Sequence, residues 1–457
     1  MRRKWLRLLA LLVTLVLVAA ACGDDDDEQT VEEEGTTTTE EDAGPADRGN
    51  VDGVLKIGSL LPETGDLAAL GPPMINAVKM AIRDINAAGG VVASQGQGEA
   101  ADVVHVQEDD GTDADVAAGA VDKLLTAEKV DVIIGAAASS VTTAVVDKIT
   151  GAQVPECSPS NTGSGLTTES SEDPAKDYYF RTPPPDNLQG PALADAIAGD
   201  GHETVAVVTL NDEYGRGFAK FLTPALEEAG VEVPVDFGYD PKGTNFDADA
   251  KKVADADPDA VALVAFPDTG SKFLTAMIEA GVGPKDVQIY VTDGLQSTDL
   301  PGLVDPDDPG VLEGVKGTAP SAAPSGGAPF FPDAFAEFAP GVDTIFSAHA
   351  YDCTILFALA AHAAGSDAGP DIQKEMVGLT KDGEKCSTFA DCKALIDDGK
   401  DIDYDGAAGA LEFTKAGEPG AGEYDVYEFG ADGTFETIDQ VSVGGTEADE
   451  GETTTTK

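Results

Sequence analysis

The chain has 457 residues, 42% of them hydrophobic, with 28 Lys and Arg against 84 Asp and Glu and a formal net charge of −56. A field of that sign repels a polyanion and excludes a nucleic-acid binder driven by phosphate neutralisation. The apolar fraction excludes a wholly disordered chain and is enough for packed cores in roughly two to three domains, while so acidic a surface stays hydrated in salty surroundings.

Residues 1–21 read as a signal peptide: Met1 to Arg7 are mostly basic, and Leu8 to Ala21 form an apolar run broken only by Thr14. The run is short for a membrane span, which takes about 20 apolar residues. It ends in Val18-Ala19-Ala20-Ala21-Cys22-Gly23, which resembles a bacterial lipobox with Ala19 where Leu or Val is usual. Lipidation of Cys22 is therefore expected, giving a membrane anchor on the outer face of the cell membrane in which each buried methylene adds about 0.8 kcal/mol. Ordinary secretion with cleavage after a small residue is the plainer alternative. Residues 22–50 and 444–457 are Asp, Glu, Thr and Gly with little that is apolar, so they cannot offset the entropy of ordering; they are expected to be a disordered acidic tether and tail.

Between them, short β-branched runs alternate with segments of helical period, the pattern of parallel βαβ units. Strands are predicted at Val54 to Leu61, Val103 to Gln107, Val130 to Gly135, Thr204 to Leu210, Ala260 to Phe266 and Val287 to Thr292, with a short one opening at Val154. Met74, Ala77, Val78, Ala81, Ile82 and Ile85 form a helical stripe that Gly89-Gly90 should end. Ala117, Ala120, Val121, Leu124 and Leu125 form a second stripe behind the N-cap pair Thr112-Asp113. Phe218, Phe221, Leu222, Ala225 and Leu226 form a third, which Pro224 should shorten or kink.

Thr182-Pro183-Pro184-Pro185 reads as a crossing between two lobes, with a second crossing around Glu313 to Pro320. A helix from about Ala348 to Ala364 would then return to the first lobe, and the strand-like Ala410 to Phe413 and Tyr424 to Phe429 would finish in the second. The expected fold is α/β: two Rossmann-like lobes, 51–184 with 318–402 and 185–317 with 403–443, joined by a multi-strand hinge that bends without letting them drift apart.

Open α/β sheets bind ligands beyond the carboxyl ends of their strands. Those positions hold Pro62 to Gly71, Gly135-Ala136-Ala137-Ala138-Ser139-Ser140, Ser158-Pro159-Ser160-Asn161-Thr162, Asn211-Asp212-Glu213-Tyr214-Gly215 and Thr292-Asp293-Gly294. Ser139 and Ser140 at a helix start suit a carboxylate at the positive end of the dipole, although a plain N-cap looks the same in sequence. Thr162 reads equally as a loop hydroxyl, Asp293 as a turn residue or a counter-ion for an ammonium, and Tyr214 as a pocket wall or a helix start.

In this order these segments resemble the branched-chain amino-acid-type family of bacterial solute-binding proteins, receptors of ABC importers with the type I periplasmic-binding fold. The resemblance runs from about residue 54 to 440 through Leu55-Lys56-Ile57-Gly58, Thr64-Gly65, Asp84-Ile85-Asn86-Ala87-Ala88-Gly89-Gly90, Ser158-Pro159-Ser160, Phe180-Arg181-Thr182, Asp212-Glu213-Tyr214-Gly215, Thr292-Asp293-Gly294 and Ala350-Tyr351-Asp352. It implies a ligand cleft between lobes that close over a small solute. By that resemblance Ser139 or Ser140 and Thr162, with Ala138 and Asn161 beside them, would hold a ligand carboxylate. The backbone of Ser160 and the acid Asp293 would take an ammonium, and Tyr214, Phe266 and Phe346 would line the side-chain pocket. Leu70 stands where relatives often carry an aromatic residue, which reshapes that side.

Besides Cys22 the chain has Cys157, Cys353, Cys386 and Cys392, an even set that favours disulfides in an exported protein. Cys386 and Cys392 are expected to close a small loop, and Cys157 and Cys353, both in the first lobe, to pair. No Cys-x-x-Cys, His-Glu-x-x-His, Walker loop, dinucleotide fingerprint or Gly-x-Ser-x-Gly elbow occurs, so neither an enzyme nor a metal or cofactor is expected. The sequence reads as an extracytoplasmic receptor, a monomer, that captures an amino acid or related small carboxylate or amide and delivers it to a permease. A sensory module of the same fold, signalling to a membrane partner, is the alternative.

Overall fold

The computed structural model describes residues 52–92, 100–166, 176–324 and 326–444. The signal, Cys22, the acidic tether and the tail from residue 445 lie outside the described residues.

The first half of the chain builds a parallel sheet in the order β2-β1-β3-β4-β5 from β1 (Lys56–Leu60), β2 (Val104–Glu108), β3 (Val132–Gly135), β4 (Glu156–Ser158) and β5 (Tyr179–Arg181). Its crossovers include α1 (Gly71–Ala87), α2 (Ala114–Asp122) and α3 (Ser139–Gly151). The predicted caps are in place. Asp113 accepts from the N–H groups of Asp115 and Val116 at the head of α2, and Gly89 and Gly90 take the positive φ that ends the turn after α1.

The chain then crosses through Thr182 to Pro185 into α4 (Asp186–Gly199), and builds β6 (Thr204–Leu210), α5 (Glu213–Glu228), β7 (Glu232–Tyr239), α6 (Asp247–Ala256), β8 (Ala260–Val264), α7 (Pro267–Ala280), β9 (Gln288–Val291), α8 (Leu300–Val304) and β10 (Lys316–Pro320). It returns through α9 (Phe331–Phe338), α10 (Ser347–Ala364) and α11 (Gly369–Glu375). A small sheet follows, made by β11 (Glu384–Cys386), β12 (Ile402–Gly406) and β13 (Gly409–Ala410), with α12 (Phe389–Asp397) between its first two strands. Finally β14 (Ala421–Phe429) and β15 (Phe435–Gly444) complete a seven-stranded sheet of order β15-β14-β10-β9-β8-β6-β7, antiparallel only at the β10, β14 and β15 edge. Helices cover both faces of the parallel strands, so β8, Ala-Val-Ala-Leu-Val, is buried along its whole length. Helix α10 is buried from Ser347 to His362, as a helix apolar on nearly every side must be, and packs on α1.

Four expectations are corrected. Pro224 does not shorten its helix, since α5 runs on past it to Glu228. The second crossing follows Pro320 rather than preceding it: Gly317 in β10 leaves room for the Tyr427 ring, whose hydroxyl donates to the Thr292 carbonyl at 2.9 Å. The lobe boundary at 317/318 therefore falls inside a strand of the second sheet. Ala410 to Phe413 does not join that sheet either. Residue 410 pairs in the small sheet, and Phe413 stacks on Phe180 of the first lobe with ring centroids 6.4 Å apart, so the chain leaves that lobe only after about Gly417, whose carbonyl accepts from Arg181 N–H.

Both disulfides are formed, Cys157 to Cys353 joining β4 to α10 and Cys386 to Cys392 closing the turn into α12, with Cα separations of 5.8 and 5.3 Å.

Candidate functional site

The carboxyl ends of the strands in both sheets face one cleft, whose innermost space is a narrow cavity between the lobes. The first lobe contributes Leu70, Ala138, Ser139, Ser160 and Phe346, and the second contributes Tyr214, Phe266 and Asp293. Eight of the eleven residues singled out as ligand-binding are thereby brought together. Leu67, Met74 and Ala137 line the same space and carry no distinguishing signal, because Met74 belongs to an ordinary core stripe and the others are plain apolar loop residues.

Each wall has a local cause. The turn that presents Leu67 and Leu70 is anchored on Asp109, which accepts from the N–H groups of Glu63 and Thr64 and from the Thr64 hydroxyl at 2.6 Å. Gly65 in that turn has φ +86°, and a Cβ there would sit 1.9 Å from the Gly111 carbonyl oxygen. Ser139 is the first residue of α3, whose N-cap Ala138 has no side-chain acceptor, and its Oγ accepts from Gly163 N–H at 3.1 Å. The first amides of α3 are therefore the partial positive charge at this end of the cleft. Ser160 donates to the Ala137 carbonyl at 3.0 Å. Opposite, the Tyr214 and Phe266 rings stack at 5.3 Å and 4°.

Among the described residues Asp293 is the one ionisable acid lining the cavity, 3% exposed. Its Oδ1 accepts from Gln189 Nε2 at 2.9 Å and from the Tyr214 hydroxyl at 3.0 Å, and Thr292 Oγ1 donates to Tyr214 at 2.7 Å. Burial pushes the Asp293 carboxyl up to about 6, against the pull of the Tyr214 and Gln189 bonds. Behind it Asp186 is buried at the start of α4, its carboxyl raised well above the ordinary range by burial and then by the neighbouring Asp293. Among the described residues no basic side chain lines the cavity. Arg181, fully buried, is engaged with Glu418 at 2.8 Å and with the Gly163 carbonyl at 2.9 Å, and so holds the 161–163 loop.

Three expected ligand contacts are placed elsewhere. Asn161 is structural: its Nδ2 donates to the Ala136 and Ala137 carbonyls and its Oδ1 accepts from Tyr179. Thr162 is buried with its hydroxyl facing Asp186, short of hydrogen-bond geometry, rather than the cavity. Ser140 faces Asp212 across the cleft; burial raises that carboxyl, and the Ser140 hydroxyl is among the bonds that pull it back. Among the described residues no cluster of His, Cys, Asp and Glu is arranged to hold a metal, and no helix is long and apolar enough to cross a membrane.

Comparison with known proteins gives the same architecture. Residues 54–433 match the family model described as periplasmic binding protein. The chain is 27% identical over 376 residues to the chemotactic signal transduction system substrate-binding protein BasB of Halobacterium salinarum, covering 80% of this chain and 85% of that one. It is 27% identical over 259 residues to a leucine-, isoleucine-, valine-, threonine- and alanine-binding protein of Pseudomonas aeruginosa, covering 56% of this chain and 65% of that one. Among solved structures, the Streptococcus pneumoniae branched-chain amino-acid transporter substrate-binding protein LivJ in complex with isoleucine superposes with a TM-score of 0.69 at 24% identity, covering 85% of this chain and 99% of that one. A solute-binding protein from R. palustris in complex with benzoate superposes with a TM-score of 0.68 at 19% identity, covering 87% and 99%. The family is one of extracytoplasmic ligand-binding proteins, and the match spans nearly all of the described chain. The protein thus belongs to the periplasmic binding proteins, with the type I fold.

Proposed function

We propose that the cleft captures a small apolar amino acid, which a lipid-anchored receptor outside the cell hands to an ABC permease. The observation that carries this reading is the charge pattern of the cavity among the described residues: one buried acid, Asp293, a helix N-terminus opposite it at Ser139, apolar walls, and no basic side chain. A zwitterion answers both ends, its ammonium meeting Asp293 and its carboxylate the first amides and Ser139 hydroxyl of α3. A bare aromatic or aliphatic carboxylate would place its charge near an acid with no guanidinium or ammonium to offset it, so the benzoate named for one structural neighbour is disfavoured here. The space between the lobes is narrow, so a solute enters with the lobes apart and is enclosed as they come together.

A micromolar dissociation constant corresponds to about −8.2 kcal/mol, within reach of a few charge-assisted hydrogen bonds plus apolar burial. A true solute at 100 times that constant should stabilise the fold by about 2.7 kcal/mol, visible as a thermal shift. A panel of the standard amino acids that produces no shift, with no solute leaving the purified protein on denaturation, would refute the reading.

Similarity to BasB over most of both chains favours a second reading, that the captured solute is reported to a membrane signalling partner rather than transported. Accumulation of labelled solute by cells carrying the protein supports transport; a behavioural response without accumulation supports sensing.

A further inference from the structure

The lobes also meet away from the cavity. Asp66, in the turn after β1 of the first lobe, accepts from Thr269 N–H at 2.9 Å through Oδ1 and from the Thr269 hydroxyl at 2.9 Å through Oδ2. Thr269 is the third residue of α7 in the second lobe. That helix has no cap of its own, because its N-cap Phe266 carries no acceptor and Pro267 has no N–H. Its N-terminus is thus capped by a carboxylate from the other lobe. A matching contact is made by Asp343, just before α10, which accepts from Thr298 N–H at 3.0 Å and from the Thr298 hydroxyl at 2.8 Å, ahead of α8 in the second lobe. A third bridge, Lys242 to Asp113 at 3.2 Å, has a lysine side chain 82% exposed and is the kind of ion pair that contributes little.

We infer that Asp66 and Asp343 are the closure latches of the cleft: each binds a backbone N–H and a hydroxyl of the opposite lobe only when the lobes are together, and neither touches the solute. They set the closed fraction, and through it the release rate, independently of what the cavity recognises. Geometry favours this role over simple surface decoration, since each carboxylate takes two donors from one threonine across the cleft, and a chelate of that kind is lost with a small hinge rotation. Asp66 is also costly to enclose. Burial raises its carboxyl and the Asp268 charge adds to that, against the Thr269 bonds, which keeps the latch reversible.

The release-rate part of the inference rests on the solute-binding reading; the closed-fraction part does not, and it is read on the solute-free protein. Hydrogen exchange of the full-length chain should be followed at amides 139–142 and 213–216, which border the cavity and touch neither latch. In the double variant Asp66→Ala with Asp343→Ala these amides should exchange several-fold faster than in wild type, with the thermal midpoint confirming a folded protein. In Asp66→Asn with Asp343→Asn, where the amide oxygen still accepts and its NH₂ can donate to the threonine hydroxyl, exchange should stay within about twofold of wild type. Unchanged exchange at the cleft in the Ala pair would overturn the inference, as would equal acceleration in the Ala and Asn pairs. A protein that binds no amino acid yet shows the Ala-specific opening would fail the functional reading and retain the latches.

Discussion

Gln189 Nε2 donates at once to Asp293 Oδ1 at 2.9 Å and to the Thr318 carbonyl at 3.0 Å, so the acid of the cleft is tied to both α4 and β10, the elements on either side of the lobe crossings. The carboxylate is therefore positioned before a solute arrives. Substituting Asp293→Asn keeps the shape and removes the charge. Amino-acid capture should fall at least 100-fold by calorimetric titration, about 2.7 kcal/mol, the scale of a buried charge-assisted hydrogen bond.

The same residue sets a pH dependence. Burial holds the Asp293 carboxyl near 6 in the closed protein, above the ordinary 3.8. The stability it contributes is thus fully present below the unfolded value and lost as pH rises through about 6, because ionisation is then resisted by the fold. Solute-free Asp293→Asn should match wild type at pH 4 and be the more stable of the two at pH 8 in urea denaturation. Capture of an amino acid by wild type needs the carboxylate, so affinity should weaken below pH 6 toward a limiting tenfold per unit.

Glu156 offers a test that does not involve the cleft. It is wholly buried in β4, and burial raises its carboxyl well above the ordinary range against the pull of the nearby Ala136 N–H, which falls short of hydrogen-bond geometry. The sign is as for Asp293: the cost is absent at low pH and grows as pH passes the ordinary glutamate range, at about 1.4 kcal/mol for each unit by which the carboxyl is raised. Glu156→Gln should stabilise the protein at pH 8 and be neutral or slightly destabilising at pH 4, measured by urea denaturation at both values.

Arg181 and Glu418 form a buried ion pair that links β5 to the hairpin before β14, and Arg181 also grips the Gly163 carbonyl. Removing the cation takes the positive charge away from a carboxylate that is 7% exposed. Arg181→Met should cost about 3–5 kcal/mol in chemical denaturation. Glu418→Gln at the same site keeps an acceptor and removes the negative charge beside the buried guanidinium, and should also destabilise.

The two disulfides close loops of very different length, with sequence separations of 196 and 6. In the chain-entropy account the longer loop should give the larger stabilisation, about 5.3 kcal/mol before any native-state correction. The pair Cys157→Ala with Cys353→Ala should therefore lower the denaturation midpoint more than Cys386→Ala with Cys392→Ala.

What the sequence discloses, and what it hides, follow from burial. Strands enclosed on both faces, such as β6 and β8, are continuous β-branched runs and stand out. The edge strands β7 and β15 alternate or expose charged residues such as Glu232, Asp236, Glu436 and Asp439, and β5 is only three residues long, so none of them has that signature. The cavity walls were legible because strand ends in such a fold converge, which places Ser139, Tyr214 and Asp293 without knowledge of any contact. Orientation was not legible. Thr162 and Asn161 occupy the right loop, yet one faces Asp186 and the other bridges backbone carbonyls, a matter of side-chain rotamer and of the Arg181 grip on Gly163. Gln189 and Asp66 had no signal either, since their roles exist only once a distant segment is packed against them.

The most direct measurement is a paired calorimetric titration of leucine, isoleucine and valine and of their des-amino carboxylic acids into wild type and Asp293→Asn at pH 7.5. At least one amino acid should bind wild type with micromolar affinity while its des-amino counterpart gives no heat, and the binding should disappear in the variant. Tight binding of the des-amino acid, or amino-acid binding that survives loss of the Asp293 charge, would contradict the assignment of the cleft as a zwitterion site.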